Sequence, residues 1–464
     1  MSQRRPMSIQ PTRIQPLNDV DVRKGEYVLY WMQQSQRSAY NHALEYAVQQ
    51  ANKQDRMLLV VFGLMDDYPE ANLRHYTFML EGLKETLATL TSRGIKMVLR
   101  LGHPPEVALK LGRRASMIVC DRGYLKHQRA WREQVAQEAN CRVVQVESDV
   151  VVPVEVVSDK AEYAARTIRP KINRQLETYL VGLKQTRIKN PSLGFKIKGI
   201  DLDDTEGLLR KLNLDPSVPP VSRFFKGGTS RAGKRFEGFI RHRLKHYDQH
   251  SNQPQTNDIS HMSPYLHFGQ ISPLYLALKI IRAPDFLKAA KEAYIEELVV
   301  RHELAMNFAF YTANYDVYSC IPGWAQKTLA DHQHDKRDYV YSRRQLENAD
   351  THDPYWNACM LEMKHTGFMH NYIRMYWGKK ILEWSATPQK AYRATLAINN
   401  KYFLDGRDAN SYTGVAWIYG VHDRAWSERS IFGKTRYMAA SGLERKCDIA
   451  AYVKKVADLV RSAI

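Results

Sequence analysis

The run MLLVVFGL at residues 57–64 is almost wholly apolar and rich in aliphatic side chains. Eight such residues suit a strand that is buried on both faces, and they are far too few to cross a bilayer. Four other short runs have the same character: YVLYW (27–31), KMVLRL (96–101), SMIVC (116–120) and CRVVQV (141–146). Helical stretches lie between them, for example at 38–52 and 73–90. Strands that alternate with helices predict a parallel sheet covered on both faces.

We therefore expect residues 25–150 to form a Rossmann-like α/β domain, preceded by a flexible, polar tail over 1–24. No G-x-G-x-x-G follows the first strand, so the usual dinucleotide fingerprint is absent and any ligand of this domain is held by other contacts. Prolines and glycines recur over 151–228, which predicts a long connector. From 229 to 464 the 3.6-residue periodicity of helices dominates, for instance at 234–247, 291–311 and 387–403.

The 464-residue chain carries a formal net charge of +19. This excess suggests an anionic partner, with nucleic acid first and an anionic membrane second. Five dispersed cysteines without a C-x-x-C pair argue against a disulfide framework and against a zinc site, so we expect no metal. The N-terminus lacks the apolar core of a secretory signal, and we expect a soluble, intracellular protein.

The familiar catalytic signatures H-E-x-x-H, Walker loop and G-x-S-x-G are absent. An enzyme with this sequence would therefore depend on a cofactor. Two stretches of the helical half carry simple structural predictions. In SPYLHFGQISP (263–273), Ser272-Pro273 predicts a helix start, and in IEELVVRHELAMNF (295–308), Glu297 and Arg301 are four apart and are expected to pair on one helix face.

Two further stretches are unusually aromatic. In HTGFMHNYIRMYWGKKILEW (365–384) a helix is predicted after the Thr366-Gly367 break, and large rings crowd Arg374, a cation that is costly to bury. The rings either form a bulky core or have a function of their own. The stretch NNKYFLDGRDANSYTGVAWIYGVHDRAW (399–426) is too polar for a core and too aromatic for a simple loop.

Together these segments resemble the class II cyclobutane pyrimidine dimer photolyases, which are light-driven DNA repair flavoproteins. The matching text is SPYLHFGQIS, HDPYWNA, RMYWGKKILEW, LDGRDANSYTGVAW and GVHDRAW, in order along essentially the whole chain. The resemblance implies an α/β antenna domain (25–150), an interdomain linker (151–228) and an all-α FAD-binding catalytic domain (229–464). It also implies a monomer that binds UV-damaged DNA, in the cytoplasm, at the nucleoid or in a nucleus, and no membrane role.

The resemblance explains the crowded helix. Trp377 would stand next to the flavin and Trp356 after it, as stations for the electrons that reduce FAD; Trp384 would join this path or only pack, and Tyr341 and Tyr376 are further participants. Arg374 would pair with Asp405 beside the flavin ring, and Asn399 would face the reactive central ring. The remaining residues expected to bind FAD are Tyr247, Ile259, Ser260, His261, Met262, Asn307 and Asp408.

For the lesion, the resemblance assigns a hydrogen-bonding role to Glu297, a lining role to Met375 and Trp417, and a DNA-facing role to Arg424. The geometry expected is that of base flipping. This chain departs from the family in three places. The stretch 417–422 is one residue shorter than usual, Ser251 stands where an arginine is common, and Arg301 stands where some members have tryptophan.

Three hypotheses follow from these observations. The first is a repair enzyme in which reduced, photoexcited FAD gives an electron to a pyrimidine dimer. The second is a cryptochrome-like photoreceptor with the same fold and no repair, and the third is a basic DNA-binding module without catalysis, which leaves the aromatic residues unexplained. The sequence does not identify an antenna chromophore, although 8-hydroxy-5-deazaflavin is the one that the resemblance suggests.

Overall fold

A computed structural model describes residues 9–463 of the chain. The N-terminal part contains a six-stranded sheet in the order β1-β6-β5-β2-β3-β4. Its strands are β1 (Ile14–Pro16), β2 (Tyr27–Trp31), β3 (Met57–Leu64), β4 (Lys96–Leu101), β5 (Ala115–Asp121) and β6 (Arg142–Val146). Strands β2 to β6 pair in parallel, which confirms the predicted parallel sheet and its five predicted strands.

The sheet also contains a strand that we did not predict. β1 pairs antiparallel with β6, and next to it the buried Arg13 donates to the carbonyl oxygens of Glu147 and Val150, both at 3.2 Å. The expectation of a flexible tail over 1–24 is therefore wrong for this segment, while residues 1–8 lie outside the described part. A strand of three mostly polar residues carries too little hydrophobic pattern to be recognised in the sequence. Its partner strand, more than a hundred residues further along the chain, gives no local signal either.

Helices cover both faces of the sheet, as the apolar strands require. They are α1 (His42–Lys53), α2 (Leu73–Ser92), α3 (Pro104–Gly112) and α4 (Lys126–Glu138). The connector that follows contains α5 (Val154–Val157), α6 (Ala165–Tyr179) and α7 (Thr205–Lys211). The connector then returns to the sheet, where the Ile200 N–H donates to the Leu99 carbonyl at 2.8 Å. This segment of the connector covers the outer edge of β4.

The rest of the chain is helical, in agreement with the predicted all-α region. Its helices are α8 (Thr229–His242), α9 (Tyr247–His250), α10 (Ser263–His267), α11 (Pro273–Ile281), α12 (Lys288–Ile295), α13 (His302–Tyr311), α14 (Gly323–Asp331), α15 (Arg343–Glu347), α16 (Pro354–Thr366), α17 (Asn371–Glu383), α18 (Pro388–Tyr402), α19 (Ala409–Ile418), α20 (Ala440–Lys446) and α21 (Ile449–Ala463). Ser272 caps α11 as expected. Gly367 ends α16 in the left-handed conformation at φ +72°, which explains the predicted break. None of the helices described between residues 9 and 463 has the length and apolarity to cross a membrane.

Between α12 and α13 the chain forms a π-helical segment over Glu296–Arg301. Because a π-helix aligns residues five apart, Arg301 pairs with Glu296, at 3.2 Å, and not with Glu297. The predicted pairing of Glu297 with Arg301 is therefore wrong. Turns of this kind occur often at functional sites, and here Glu296, not Glu297, holds the ion pair with Arg301.

Buried polar contacts join the sheet domain to the helical domain. Arg74 of α2 is almost fully buried and donates to the Tyr402 carbonyl at 2.6 Å and the Met363 carbonyl at 3.2 Å. On the other side, Glu303 of α13 accepts the N–H groups of Val151 and Val152, at 2.6 and 3.0 Å. These contacts fix the position of the helices that carry the site relative to the sheet.

Candidate active site

Arg374 lies on α17 and forms a two-bond ion pair with Asp405. Nη1 donates to Oδ1 at 3.0 Å and Nη2 to Oδ2 at 2.9 Å, while Nε donates to the Met369 carbonyl at 3.0 Å. The guanidinium carbon lies 4.0 Å from the ring centre of Phe403. The three hydrogen bonds and the ring contact fix the plane of the guanidinium. Arg374 therefore presents a rigid, flat positive charge inside the helical domain.

Asn399, near the end of α18, is buried beside the loop that carries Asp405. Its amide nitrogen donates to Asn400 Oδ1 at 2.9 Å and to Ser411 Oγ at 2.5 Å. A Cβ on Gly406 would lie 2.9 Å from the Asn399 carbonyl, so the glycine permits this close approach of the loop to α18. The side-chain orientation of Asn399 is therefore determined by its neighbours.

Two of the residues expected to bind FAD, Tyr247 and Ser260, belong to one aromatic and hydroxyl cluster. The Tyr294 hydroxyl and Ser260 Oγ are 3.0 Å apart, and the Tyr247 ring centre lies 5.2 Å from that of Tyr294. Ile259 and Met262 pack on the same core. Tyr294 was not predicted, because an isolated tyrosine in a helical sequence carries no motif.

Unpartnered nitrogens and positive charge lie close to this cluster. In the described part of the chain, His261 Nδ1, His370 Nε2 and Trp377 Nε1 are buried without a hydrogen-bond partner. Burial, and then the charges of Arg235 and Lys455, lower the pKa of His261 to about 3. Neutral imidazoles with free nitrogens in a positive potential suit a ligand that has both polar ring atoms and an anionic group.

A series of aromatic rings leads from α17 to the surface. Trp356 Nε1 donates to the Trp377 carbonyl at 2.9 Å, and both rings are fully buried. The ring centres of Trp356 and Trp384 are 5.5 Å apart, and those of Trp384 and Tyr341 are 5.3 Å apart. The rings of Trp356, Trp384 and Tyr341 are thus in contact, and the hydrogen bond from Trp356 to the Trp377 carbonyl connects them to α17, so the series offers a path for electrons between the interior and solvent.

Asp353 holds the two helices of this series together. Its Oδ1 caps α16 by accepting the N–H groups of Tyr355 and Trp356, both at 3.0 Å. Its Oδ2 accepts the hydroxyl of Tyr376 on α17. One carboxylate thus sets the position of α16 against α17.

Glu297 lies exposed on the π-helical segment. Burial by the surrounding protein, together with the neighbouring Glu296, raises the pKa of the Glu297 carboxyl, while Arg301 opposes this shift. The Arg301 guanidinium carbon lies 5.4 Å from the ring centre of Trp417, which is partly exposed on α19. This part of the surface therefore combines an acid of raised pKa, a cation and a large ring.

A basic and aromatic loop follows Trp417. Arg424 and Arg436 lie over the exposed ring of Trp426, at 5.5 and 4.5 Å from its centre. Asp423 anchors the loop by accepting Arg436 Nε at 2.9 Å and the Arg424 N–H at 2.9 Å. Charged and aromatic side chains together suit a polyanion that carries exposed bases.

Three of the predicted residues have other contacts. Asn307 donates to the Lys160 carbonyl at 2.9 Å and accepts the Glu162 N–H at 2.7 Å, so both ends of its amide bind the connector. Asp408 caps α19, with the Ala409 N–H at 2.7 Å, and faces the sheet domain instead of Arg374. Met375 is partly buried, and its side chain packs against the core of the helical domain.

A second candidate site lies where the sheet domain meets the helical domain. This cavity encloses about 1090 Å³, including its open mouth, and its walls are mainly apolar. Several buried polar atoms that line it have no hydrogen-bond partner among the described residues: Trp31 Nε1, both polar atoms of the Gln33 amide, Gln36 Oε1 and His302 Nδ1. His267 Nδ1, also in the lining, lies 4.0 Å from Asp408 Oδ1. A flat aromatic ligand with several hydrogen-bonding atoms fits this lining.

The sheet determines where this cavity forms. Strands β2 and β5 are neighbours from which the chain continues in opposite directions, and ligands of such sheets bind at the carboxyl ends of these strands. Asp121, at the end of β5, accepts the N–H groups of Gln33, Gln34 and Ser35 at 2.9, 2.9 and 3.0 Å. The only sequence signal for the cavity is the polar run QQSQ (33–36) directly after an apolar strand.

Comparison with known proteins agrees with this arrangement. The family model described as DNA photolyase matches residues 28–192. A deoxyribodipyrimidine photo-lyase of Methanothermobacter thermautotrophicus is 50% identical over 97% of this chain and 99% of that protein. A class III photolyase from Agrobacterium tumefaciens has the same fold, with a TM-score of 0.73, 16% identity and coverage of 94% and 87% of the two chains. An archaeal photolyase from Sulfolobus tokodaii, which was solved with two FAD molecules, has a TM-score of 0.68, 15% identity and coverage of 94% and 93%.

Proposed function

The chain belongs to the DNA photolyase family, and from this premise we propose which residues carry its reaction, the light-driven splitting of cyclobutane pyrimidine dimers in DNA. The observation that carries the proposal is the sequence identity over nearly the whole chain, combined with the Arg374–Asp405 pair three residues from Trp377. We assign the chain to class II on the motifs of its helical half.

We assign FAD to the space bounded by the Arg374–Asp405 pair, Asn399 and the Ser260–Met262 segment. When bound and reduced, FAD absorbs blue light, supplies an electron to the dimer and takes it back. The fixed guanidinium of Arg374 favours negative charge on a neighbouring ring. The cations Arg235 and Lys455, which lower the pKa of His261, support the phosphates on that side. Asn307 and Asp408 are left out of this assignment because their side chains bind elsewhere.

We assign the delivery of electrons to Trp377, Trp356 and Trp384, in that order outward. The ring contacts and the hydrogen bond from Trp356 Nε1 to the Trp377 carbonyl support this order. Trp384, whose role the sequence left open between relay and packing, contacts Trp356 on one side and Tyr341 on the other. This double contact favours a role in the relay.

We assign dimer binding to the surface that carries Glu297 and Trp417, with Met375, which is partly buried against the helical core, as a further lining residue. A protonated carboxyl on Glu297 can donate a hydrogen bond to a pyrimidine carbonyl, and the upward direction of its pKa shift favours the protonated form. Arg424, Trp426 and Arg436 would contact the DNA strand around the flipped dimer by phosphate contacts and stacking. Arg436 and Trp426 are additions to the residues that the sequence suggested.

We assign a second, light-harvesting chromophore to the cavity between the domains. Its apolar walls and five polar atoms that have no hydrogen-bond partner among the described residues suit a planar heterocycle with carbonyl and ring nitrogen groups. A deazaflavin such as 8-hydroxy-5-deazaflavin has this chemistry. Energy passed from such a chromophore to FAD would increase the rate of repair in weak light.

The test uses an oligonucleotide with a single thymine dimer and follows the absorbance of the restored bases under blue light and in the dark. We expect a light-dependent rise with the reduced protein and none in the dark. Trp377→Phe, reduced chemically beforehand, should repair normally but should fail to become photoreduced. Trp324→Phe, a ring away from the relay, serves as the matched control.

Absence of repair by a protein that retains reduced FAD would overturn the repair assignment and favour a photoreceptor. Normal photoreduction of the Trp377→Phe variant would overturn the relay alone. These two results are independent, since chemical reduction separates delivery of electrons from repair.

A further inference from the structure

Tyr341 and His352 form a closely coupled hydrogen-bonded pair at the outer end of the aromatic series. The Tyr341 hydroxyl and His352 Nδ1 are 2.7 Å apart, and the backbone N–H of His352 donates to the same Tyr341 oxygen at 3.0 Å. That oxygen accepts the backbone N–H, and in the imidazole tautomer whose proton is on Nε2 the hydroxyl hydrogen of Tyr341 is directed to Nδ1. The phenol therefore has a base in place for its proton.

This pair is held against the last tryptophan of the relay. The Tyr341 N–H donates to the Trp384 carbonyl at 3.2 Å, and the ring centres of Trp384 lie 5.3 Å from Tyr341 and 5.2 Å from His352. Tyr339 stacks on His352 with ring centres 3.7 Å apart, and 47% of its surface is exposed. The arrangement is ordered on the protein side and open to solvent at Tyr339.

Nearby charge disfavours a positive hole on Trp384. The Lys380 ammonium lies 5.6 Å from the Trp384 ring centre, and a cation at this distance destabilises a radical cation on that ring. Glu383 pairs with Lys380 at 2.8 Å and weakens this effect without removing it. A tyrosine that loses an electron and a proton together becomes a neutral radical, which does not suffer this repulsion.

We propose that His352 is the proton acceptor that makes Tyr341 the terminal electron donor of the relay. This inference rests on the proposed relay through Trp377, Trp356 and Trp384. The oxidant is the light-excited oxidised flavin, and the hole that it creates moves outward to Trp384.

In the terminal step one electron passes from Tyr341 to the Trp384 radical cation. The Tyr341 O–H bond breaks, and an N–H bond forms at His352 Nδ1. The products are neutral Trp384, a neutral Tyr341 radical and a protonated His352. Charge is conserved, because the positive charge moves from Trp384 to the imidazole.

The experiment follows flash photoreduction of the oxidised, FAD-loaded protein by transient absorption and freeze-quench electron paramagnetic resonance, in H₂O and in D₂O. We expect a tyrosyl radical whose formation is slower in D₂O. His352→Gln retains a hydrogen-bond acceptor but no base, and should slow tyrosyl formation about a hundredfold. Tyr341→Phe should abolish the tyrosyl signal and leave a tryptophan radical that recombines sooner.

Tyr318→Phe is the matched control, because its buried hydroxyl has no partner among the described residues and its ring lies against Tyr392, away from the relay. This variant should behave as the parent protein does. A tyrosyl radical that forms at the parent rate in His352→Gln, or that forms without an isotope effect, overturns the inference. Tryptophan radicals without a tyrosyl radical in the parent protein overturn the inference alone, whereas absence of both radicals overturns the relay in the proposed function as well.

Discussion

Arg374 explains how a cation is accommodated among large rings in this fold. A lone buried guanidinium would be costly, but Asp405 supplies two hydrogen bonds and Phe403 supplies a ring face 4.0 Å away. Asp405 and Phe403 compensate the positive charge of Arg374 on one side. On its other side, the guanidinium exerts a positive field on any neighbouring group. At the scale of single residues, the aromatic side chains around Arg374 therefore both form a core and hold a fixed positive charge in place.

Glu297 carries the main residue-scale prediction. Glu297→Ala should reduce the rate of dimer repair by about a hundredfold, because one hydrogen bond to the charge that develops in the reaction is lost. Glu297→Gln keeps a hydrogen-bond donor and should remain closer to the parent protein. Repair by the parent should also decline as the pH rises through the raised pKa of Glu297, since the carboxylate cannot donate.

The assay is light-driven repair of a dimer-containing oligonucleotide at a series of pH values. The exposed Glu292 on the neighbouring α12 provides the matched control, and Glu292→Ala should repair normally. Equal repair by the Glu297→Ala variant and the parent would contradict the role of the carboxyl.

At the scale of elements, helix ends and irregular turns determine the site geometry. The π-helical segment rotates Glu297 away from Arg301 and assigns Arg301 to Glu296. The cap of α16 at Asp353 likewise fixes Trp356 beside α17. These local features, rather than the cores of the helices, decide which side chains face one another.

Asp353→Ala should lower the stability of the protein by about 1 to 2 kcal/mol, because α16 loses its cap. It should also slow photoreduction of the flavin, since Tyr376 loses its partner and α16 is free to shift against α17. Thermal unfolding and photoreduction rates measure the two effects.

Asp204 caps α7 in the connector by accepting the Gly207 N–H at 2.8 Å, so Asp204→Ala removes a comparable cap far from the relay. It should affect stability alone. If both variants photoreduce at the parent rate, the cap of α16 has no part in the relay.

The sequence predicted the elements well because their signals are local. Short apolar runs located β2 to β6, 3.6-residue periodicity located helices, and the Thr366-Gly367 break located the end of α16. β1 was missed because its pairing with β6 is long-range. The pairing of Arg301 was mistaken because a π-turn has no sequence signature of its own. The cavity between the domains was missed because its polar atoms come from segments far apart in the chain.

At the scale of the whole molecule, the buried Glu303 joins the helical domain to the start of the connector, directly after the sheet domain. It accepts the N–H groups of Val151 and Val152, and burial raises the pKa of the Glu303 carboxyl to about 8. The unfolded chain releases this proton at the ordinary carboxyl pKa, whereas the folded protein keeps it until about pH 8. Rising pH therefore favours the unfolded state across this interval, and the effect levels off above it.

Glu303→Gln should remove this pH dependence, because an amide keeps a hydrogen-bond acceptor and cannot deprotonate. Near pH 8 we expect the variant to be more stable than the parent by up to a few kcal/mol, and near pH 5 the difference should be small. Chemical unfolding at both pH values measures it. The exposed Glu133 is the control, and a stability difference that is the same at both pH values would contradict the assignment.

The contact between Ile200 and Leu99 has a consequence for synthesis of the chain. The ribosome completes β4 long before it reaches the connector, so the outer edge of the sheet has exposed N–H and C=O groups while the nascent chain is still growing. During that interval the unpaired edge can join the edge of another nascent chain. Arrival of the Ile200 segment closes this period of vulnerability to aggregation, and a chain truncated before it would keep the edge permanently open.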